Sequence, residues 1–258
     1  MKTIAIIQAR TGSTRLPGKV LLDVGGKTVL ERVVQRVRAA RGVEEVIVAT
    51  TTERDDDRIA TWCAVHGVAC HRGSADDVLD RFHQAARAKS PDRIVRITAD
   101  CPLMDPAVID LVIAAHEQSR ADYAANTIEP TFPDGLDVEV LSFGALERTW
   151  REARLASERE HVTPYLWKNP GLFSLHSVKN TEDLSGKRWT LDEPEDYRFI
   201  REVYRILADA GDIFGMDTVL AMLREHPQVE RINARFRRND GYEKSVRDDT
   251  AISGGHAA

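Results

Sequence analysis

The chain has 258 residues, enough for one large α/β domain or two small ones, and 42% of them are hydrophobic, which supports a sizeable core. Its formal net charge of −5 argues against general attraction to nucleic acid, so any anion site must be a local basic patch. No apolar run approaches the length of a bilayer span, and the chain enters a predicted strand without a secretory signal. Its three cysteines lack CxxC spacing, which indicates reduced core thiols in a cytoplasmic protein.

The first half of the chain alternates strand and helix patterns. Short β-branched runs predict strands at Ile4–Ile7, Val46–Thr50, Val68–Cys70 and Ile94–Thr98. Stretches of helical period lie between and after them, at Val29–Val37, Asp57–His66, Ala75–Ala88 and Pro106–Glu117. This alternation predicts an α/β fold with a mostly parallel sheet that is covered by helices on both faces, and ligands that bind at the carboxyl ends of the strands.

The second half of the chain is less regular. Strands are predicted at Tyr123–Asn126, Asp137–Leu141, Phe173–Val178 and Arg188–Leu191, with a loop rich in proline and glycine over 127–135. Helices are predicted near Phe143–Arg154, Glu158–Trp167, Pro194–Ala208 and Met216–His226. We expect a single domain over residues 1–239 and, because its composition is polar, a disordered tail over residues 240–258.

The most informative stretch follows the first predicted strand and reads Q-A-R-T-G-S-T-R-L-P-G-K, from Gln8 to Lys19. It concentrates cations, hydroxyl groups and glycines in one loop, namely Arg10, Arg15, Lys19, Ser13, Thr14, Gly12 and Gly18. Glycines let backbone N–H groups approach phosphate oxygens, and the cations neutralise charge that the backbone alone cannot. The loop therefore predicts a polyphosphate site, and the alternative is a surface turn with solvated charges.

Two better-known phosphate motifs do not fit this loop. A P-loop has four residues between its glycines and a Ser or Thr after its Lys, whereas five residues separate Gly12 from Gly18 here and Val20 follows Lys19. A dinucleotide fold would need G-x-G-x-x-G, which the loop lacks.

Two aspartates follow predicted strands and point to the same edge of the sheet. Asp100 comes after Ile94–Thr98, and Asp192 comes after Arg188–Leu191. Mg²⁺ typically takes one or two carboxylates and completes its shell with phosphate oxygens and water. We interpret both residues as metal ligands, with a turn or helix N-cap as the alternative for each. Asp105, before Pro106, fits the cap role better.

The run Asp55–Asp57 is interpreted as a cap for the helix that follows it, because the positive end of the helix dipole favours acidic residues. Asp137 and Glu139 alternate along a predicted strand, so they face one side and could select an acceptor or face water. His161 could point its imidazole at an acceptor or serve a structural role.

In combination, these motifs resemble the nucleotide-sugar cytidylyltransferases. The signature loop is similar to that of CMP-Kdo synthetase, CMP-sialic acid synthetase and, most closely, the spore coat polysaccharide biosynthesis cytidylyltransferases. Five further segments carry the resemblance: Arg72–Phe82, Arg96–Leu103, Pro133–Val140, Glu158–Tyr165 and Trp189–Tyr197. The resemblance extends from residue 1 to about residue 235.

The resemblance implies a Rossmann-like nucleotide-diphospho-sugar transferase fold and transfer of CMP from CTP to an acidic sugar or phosphonate, with release of pyrophosphate. By position, Lys19, Arg10 and Arg15 would act on the triphosphate, and Asp100 and Asp192 would bind Mg²⁺. The nucleotide would also contact Ala9, Gly12, Ser13, Arg72, Ser74, Thr98 and Ala99, with Asp77 supporting that loop. Asp137, Glu139 and His161 would face the acceptor, and residues 125–180 would form a lid and dimer arm of a homodimer.

Three alternatives stay open at this point. The first is a nucleotidyltransferase that uses GTP or UTP with a sugar phosphate, although such enzymes usually carry a G-x-G-x-R loop. The second is a glycosyltransferase, which would need a D-x-D motif where Asp100-Cys101-Pro102 stands. The third is a nucleotide-binding subunit without catalysis. The acceptor and the general base are also open.

Overall fold

The computed structural model describes residues 1–238 and 240–249, without the side chains of residues 240, 241 and 244. The strands are β1 (Thr3–Gln8), β2 (Asp23–Val24), β3 (Lys27–Thr28), β4 (Glu45–Thr51), β5 (Ala69–Gly73), β6 (Arg93–Thr98), β7 (Tyr123–Ala125), β8 (Glu139–Ser142) and β9 (Leu175–Ser177). The helices are α1 (Val29–Arg38), α2 (Asp57–Val65), α3 (Val78–Arg87), α4 (Pro106–Ser119), α5 (Phe143–Glu152), α6 (Ala156–His161), α7 (Pro164–Lys168), α8 (Pro194–Ile206), α9 (Met216–Glu225), α10 (Pro227–Glu230) and α11 (Asp240–Arg247).

The central sheet has seven strands in the order β5-β4-β1-β6-β8-β7-β9. Strands β5, β4, β1 and β6 are parallel, and β8 is antiparallel to both of its neighbours. From β1 the chain first builds the sheet to one side through β4 and β5, and then returns to place β6 on the other side of β1. The gap between β1 and β6 is therefore a topological switch point, where open α/β sheets bind ligands. The predicted fold class is confirmed.

Alternating side chains of β1 pack against two helical layers. Ala5 and Ile7 join one buried cluster with α1, α4, α8 and α9, whereas Ile4 and Ile6 join another with α3, α5 and α7. A strand that is buried on both faces needs apolar residues at successive positions, which is the pattern that the sequence shows. Among residues 1–238 and 240–249, no helix is both long and apolar enough to cross a membrane.

Several predicted elements form close to their expected bounds because local signals agree with packing. Helix α4 begins as predicted, since the Asp105 carboxylate accepts a hydrogen bond from the Ala107 N–H at 2.8 Å and Pro106 fits the first helical turn. Helix α1 is capped in the same way, by the Thr28 hydroxyl and the Glu31 N–H at 3.1 Å.

Other expectations in the second half are wrong. The predicted strand Arg188–Leu191 forms only an isolated bridge between Asp134 and Arg188. Backbone N–H groups of this segment donate to carbonyls of loops and turns, so they are not available for a strand ladder. Strand β8 begins at Glu139, so Asp137 precedes it. The predicted helix Glu158–Trp167 is two short helices, α6 and α7, because the backbone leaves the helical region at Val162, which has a φ of +73°.

The expected disordered tail is also wrong in part. Residues 240–247 form α11, which packs on α6, and residues 250–258 lie outside the described residues.

Cys63 and Cys101 are buried as expected of core thiols, but Cys70 is exposed. Residues 125–180 contribute β8 and β9 to the main sheet.

One close backbone contact joins the loop 127–135 to the segment that leads to Asp192. Gly135 has a φ of +108°, and a Cβ atom at this position would lie 2.5 Å from the carbonyl carbon of Trp189 and 2.6 Å from the Thr190 nitrogen. Only glycine tolerates this combination of backbone angle and contact.

Candidate active site

A cavity of about 830 Å³ opens at the switch point, at the carboxyl ends of β1 and β6. Its walls include much of the predicted phosphate loop, together with Thr98, Ala99, Asp100 and Asp192. A second cavity, of about 840 Å³, lies along α8. No residue of the predicted phosphate loop Gln8–Lys19 lines the second cavity, so the first cavity is the stronger candidate.

At the centre of this cavity lies the Lys19 cluster, which we define as Lys19, Asp100, Asp192 and Arg15. Lys19 Nζ lies 2.6 Å from Asp100 Oδ2 and 2.7 Å from Asp192 Oδ1. Arg15 also contacts Asp192, at 2.9 Å, and Glu193, at 3.1 Å. The two aspartates are 92 residues apart in the chain, and the structure brings them to a single ammonium group as the sequence predicted.

Two opposing effects determine the protonation states in the Lys19 cluster: burial disfavours the charged forms, and attraction between opposite charges favours them. Burial disfavours the Lys19 ammonium, but the carboxylates of Asp100 and Asp192 outweigh it and raise the pKa of Lys19 above its ordinary value. Burial likewise opposes the Asp100 carboxylate, but Lys19 prevails and lowers the Asp100 pKa to about 2. Both groups are therefore charged throughout the neutral pH range.

The phosphate loop is held open by a buried carboxylate that the sequence did not single out for this task. Asp56 Oδ1 accepts hydrogen bonds from the Thr11 N–H, at 2.7 Å, and the Thr11 hydroxyl, at 2.6 Å, and Oδ2 accepts one from the Thr51 hydroxyl. Asp56 stands at the N-cap position of α2, as predicted, but its side chain makes no cap bond and instead fastens the loop to the end of β4. These hydrogen bonds overcome burial and lower the pKa of Asp56.

The rest of the loop faces the cavity. Arg10 is half exposed, and its one ion pair among the described residues is a distant contact with Glu160 at 3.8 Å. Gly12 and Ser13 line the cavity with Ala9, and a Cβ atom at Gly12 would meet no atom within 4 Å. The exposed cations and open backbone are suited to receive phosphate oxygens.

Arg72 and Ser74 lie beside the cavity and do not line it. Arg72 donates to the carbonyls of Thr51 and Glu53, at 2.8 and 3.0 Å, and pairs with Asp57. Ser74 Oγ accepts from the Asp77 N–H at 3.0 Å, which shapes the turn before α3. Both residues therefore support the loop that leads to α3, and their predicted contact with nucleotide stays a prediction.

The predicted acceptor residues are placed differently from one another. Glu139 belongs to a buried group, the Glu139 cluster, in which its carboxylate accepts from Arg96, Tyr123 and Thr163. Asp137 pairs with Arg238. Neither carboxylate lines the cavity, whereas His161 does.

The wall around His161 comes from α6 and α11. His161 Nε2 lies 3.0 Å from the Ser245 hydroxyl, which donates to Glu160 at 2.9 Å. At the start of α6, the Ser157 hydroxyl donates to Asp249 at 2.7 Å. The C-terminal segment therefore closes one side of the cavity with polar contacts, which the prediction of a disordered tail missed because each contact spans more than eighty residues of sequence.

The donor set fits a magnesium ion that is shared with a ligand. Asp100 and Asp192 present carboxylate oxygens within hydrogen-bond distance of one nitrogen, so both could contact a common cation. In the described part of the chain, no group of three or more His, Cys, Asp or Glu side chains could hold a metal. A metal at Asp100 and Asp192 would therefore need phosphate oxygens and water, as Mg²⁺ usually does.

The fold and this cavity are those of a nucleotidyltransferase. The chain belongs to the cytidylyltransferase family, whose model matches residues 4–225, and the resemblance expected from the sequence motifs is confirmed. It is similar to the spore coat polysaccharide biosynthesis protein SpsF of Bacillus subtilis, with 33% identity over 231 residues, 87% of this chain and 95% of the other. A solved cytidylyltransferase from Leptospira borgpetersenii superimposes with a TM-score of 0.84 and 35% identity, over 89% of this chain and 96% of that one.

A third relative matches the chain only in part. The 3-deoxy-manno-octulosonate cytidylyltransferase of Anaeromyxobacter dehalogenans is 45% identical over 113 residues, which is 43% of this chain and 45% of the other. The chain therefore spans less than half the length of this relative, in contrast to the near-complete match with SpsF.

Proposed function

We propose that the protein transfers CMP from CTP to a small acidic acceptor, a sugar acid or a phosphonate, and releases pyrophosphate with the help of Mg²⁺. The observation that carries this proposal is the Lys19 ammonium held between Asp100 and Asp192 at the switch point of the sheet. Membership of the cytidylyltransferase family supports the reaction. The name of SpsF supports an acceptor from polysaccharide biosynthesis, and the name of the octulosonate cytidylyltransferase supports an acidic sugar.

In this reaction an acceptor oxygen attacks the α-phosphorus of CTP. A new oxygen–phosphorus bond forms, the bond to the bridging oxygen of the β-phosphate breaks, and pyrophosphate leaves with the electron pair. Charge grows on the non-bridging and leaving oxygens, where fixed cations lower the barrier most. Lys19 keeps its proton because of the flanking carboxylates, and together with Arg10 and Arg15 it can neutralise this charge.

Bound Mg²⁺ would supply further neutralisation of the phosphate charge. Asp100 and Asp192 are the residues that would hold it, and the low pKa of Asp100 keeps that carboxylate ionised and ready to bind a cation. Lys19 would then exchange part of its carboxylate contact for phosphate oxygens.

The acceptor would enter on the side of the cavity formed by α6 and α11. This wall presents the imidazole of His161 and the guanidinium of Arg247 beside the carboxylates of Glu160 and Asp248. The guanidinium suits the anionic group of an acidic acceptor, and the carboxylates suit its hydroxyl groups. We also propose that the protein is a homodimer and is cytoplasmic. Light scattering of the purified protein gives its molar mass and so tests the homodimer.

The test is pyrophosphate release by purified protein with CTP and Mg²⁺ across a panel of keto-acid sugars and phosphonates. A metabolite extract, followed by mass spectrometry for a new CMP conjugate, extends the panel without a guess about the acceptor. Absence of pyrophosphate in every case would overturn the proposal. Thermal shifts with CTP, UTP, GTP and ATP test the choice of nucleotide, because a ligand stabilises the fold in proportion to its binding.

A further inference from the structure

Arg81 is a buried cation in the wall of the cavity that the proposed reaction has not used. Its side chain is only 1% exposed, and it lines the cavity beside Val78 and Arg10. Nη1 donates to the Ser74 carbonyl at 2.6 Å, while Nε has no acceptor among the described residues. No described carboxylate comes within ion-pair distance of its guanidinium.

The carboxylates nearest to Arg81 are committed to other groups. Asp56 accepts from Thr11 and Thr51, and Asp77 forms a bidentate pair with Arg159, with distances from 2.6 to 3.1 Å. A charge that is buried without a partner is costly, so native proteins usually provide one. A counter-ion for Arg81 must therefore come from outside the described residues, or hydrogen bonds and ring contacts within the protein must offset the cost of burying its charge.

A second buried arginine shows what such compensation looks like. Arg36 is 0% exposed and also lacks a carboxylate partner among the described residues, but it donates to the Tyr204 hydroxyl and to the carbonyls of Met104 and Phe214. Its guanidinium carbon also lies 4.3 Å from the centre of the Phe214 ring. Arg36 thus has three acceptors within the protein, although its Nη2 has none among the described residues, and it does not line the cavity. Arg81 has a single carbonyl acceptor and lines the cavity.

The neighbour of Arg81 makes its position less favourable still. Burial, and after it the positive charge of Arg10, lower the pKa of Arg81 to about 10, and the attraction of Asp56 and Asp77 offsets them only in part. Two guanidinium groups that repel each other across one cavity wall are both relieved if an anion binds between them. A neutral nucleobase would leave this repulsion in place, whereas a phosphate group would remove it.

We infer that Arg81 is a further nucleotide-binding residue, which shares with Arg10 one phosphate group of the bound nucleotide. The inference rests on the proposed function, because it takes a nucleotide to be the ligand of this cavity. Arginine binds phosphate through charge-assisted hydrogen bonds, whose loss weakens binding by about tenfold to a hundredfold.

The experiment measures dissociation constants by calorimetry for CTP, CDP, CMP, cytidine and inorganic tripolyphosphate, in the wild type and in Arg81→Met and Arg81→Lys. For Arg81→Met we expect weaker binding of CTP and tripolyphosphate, by about tenfold or more, and an unchanged affinity for cytidine. Arg81→Lys, which keeps the charge and loses the planar fork, should fall between the wild type and Arg81→Met.

The melting temperature of the free protein separates binding from packing. Arg81→Met should leave it within about 2 °C of the wild type, because an unpaired buried charge is replaced by an apolar side chain of similar size. The matched control Arg36→Met should lower the melting temperature and leave the affinity for CTP unchanged.

Three results would overturn the inference. An unchanged affinity of Arg81→Met for CTP and tripolyphosphate would show that Arg81 does not bind phosphate. An equal loss for cytidine would assign Arg81 to the nucleobase. Failure of the wild type to bind CTP would reject the proposed function together with the inference, so the two failures are distinguishable.

Discussion

The Lys19 cluster and the Glu139 cluster both pair carboxylates with cations, but they differ in how exposed those carboxylates are. In the Glu139 cluster both carboxylate oxygens are occupied, by Arg96 on one side and by Tyr123 and Thr163 on the other, and Glu139 is only 5% exposed. In the Lys19 cluster the carboxylates are partly exposed and face a cavity. A buried and saturated carboxylate specifies structure, whereas one that retains open coordination sites can exchange partners with a ligand.

The largest expected effect comes from breaking the buried cluster. Glu139→Gln leaves Arg96 charged and without its counter-ion, which should lower the free energy of unfolding by about 3 to 5 kcal/mol. Urea denaturation measures this change, and the thermal shift with CTP should persist at temperatures where the variant is folded. Normal stability with loss of activity toward the acceptor would instead support the acceptor role that the sequence predicted for Glu139.

Removal of the central ammonium should act on the reaction more strongly than on the fold. Lys19→Met should lower kcat/KM for CTP by about 10²- to 10³-fold, or roughly 3 kcal/mol of barrier, by analogy with other fixed electrostatic groups. Steady-state pyrophosphate release measures it. Lys179→Met, which removes a half-exposed lysine paired with Glu129, serves as the control and should leave kcat/KM unchanged. Equal activity of the two variants would exclude Lys19 from the chemistry.

The two aspartates should differ from ordinary surface carboxylates in their dependence on metal. Asp100→Asn and Asp192→Asn each remove one of the two carboxylates available to Mg²⁺, so the Mg²⁺ concentration for half-maximal activity should rise by about tenfold or more. A titration of pyrophosphate release with Mg²⁺ measures this shift. The control is Asp183→Asn at an exposed loop position, and a shift of equal size in this control would contradict the assignment.

The smallest expected effect is a pH dependence of stability. Because the folded-state pKa of Asp100, about 2, is lower than its ordinary value of 3.8, its contribution is present above pH 4 and is lost as the pH falls from about 4 to 2. The loss should amount to about 1 to 2 kcal/mol. Denaturation curves of the wild type and Asp100→Asn between pH 2 and 6 should converge at the acidic end. Parallel curves would show that Lys19 does not stabilise the Asp100 carboxylate.

The same contrast explains which features could be predicted from the sequence. The apolar runs of β1, β4 and β6 and the cap at Asp105 are local patterns, so the parallel half of the sheet and the start of α4 were predicted close to their observed bounds. Asp100 was predicted to lie near Lys19 because the carboxyl ends of parallel strands meet at one edge. Asp192 was placed at the same edge because it follows the predicted strand Arg188–Leu191, which forms only an isolated bridge in the structure.

Features that depend on distant partners were missed. Nothing local indicates that Asp56 would bond to Thr11, or that a polar tail would dock on α6 through Ser157 and Asp249. For the same reason, Asp137 and Glu139 were predicted to share one face of a strand and to meet an acceptor or water, whereas they pair with Arg238 and Arg96 in the folded protein. The functional roles of these residues stay predictions until variants are measured.

Because the backbone at Gly135 lies so close to Trp189 and Thr190, a substitution outside the cavity can affect the site. An alanine there would add a methyl group in the space of the Trp189 and Thr190 backbone. A shift of that backbone would reach Asp192, which lies two residues after Thr190. The position of the Asp192 carboxylate therefore depends on the absence of a side chain at Gly135. We therefore expect Gly135→Ala to lower the activity of this protein, although the atoms of Gly135 line no part of the cavity.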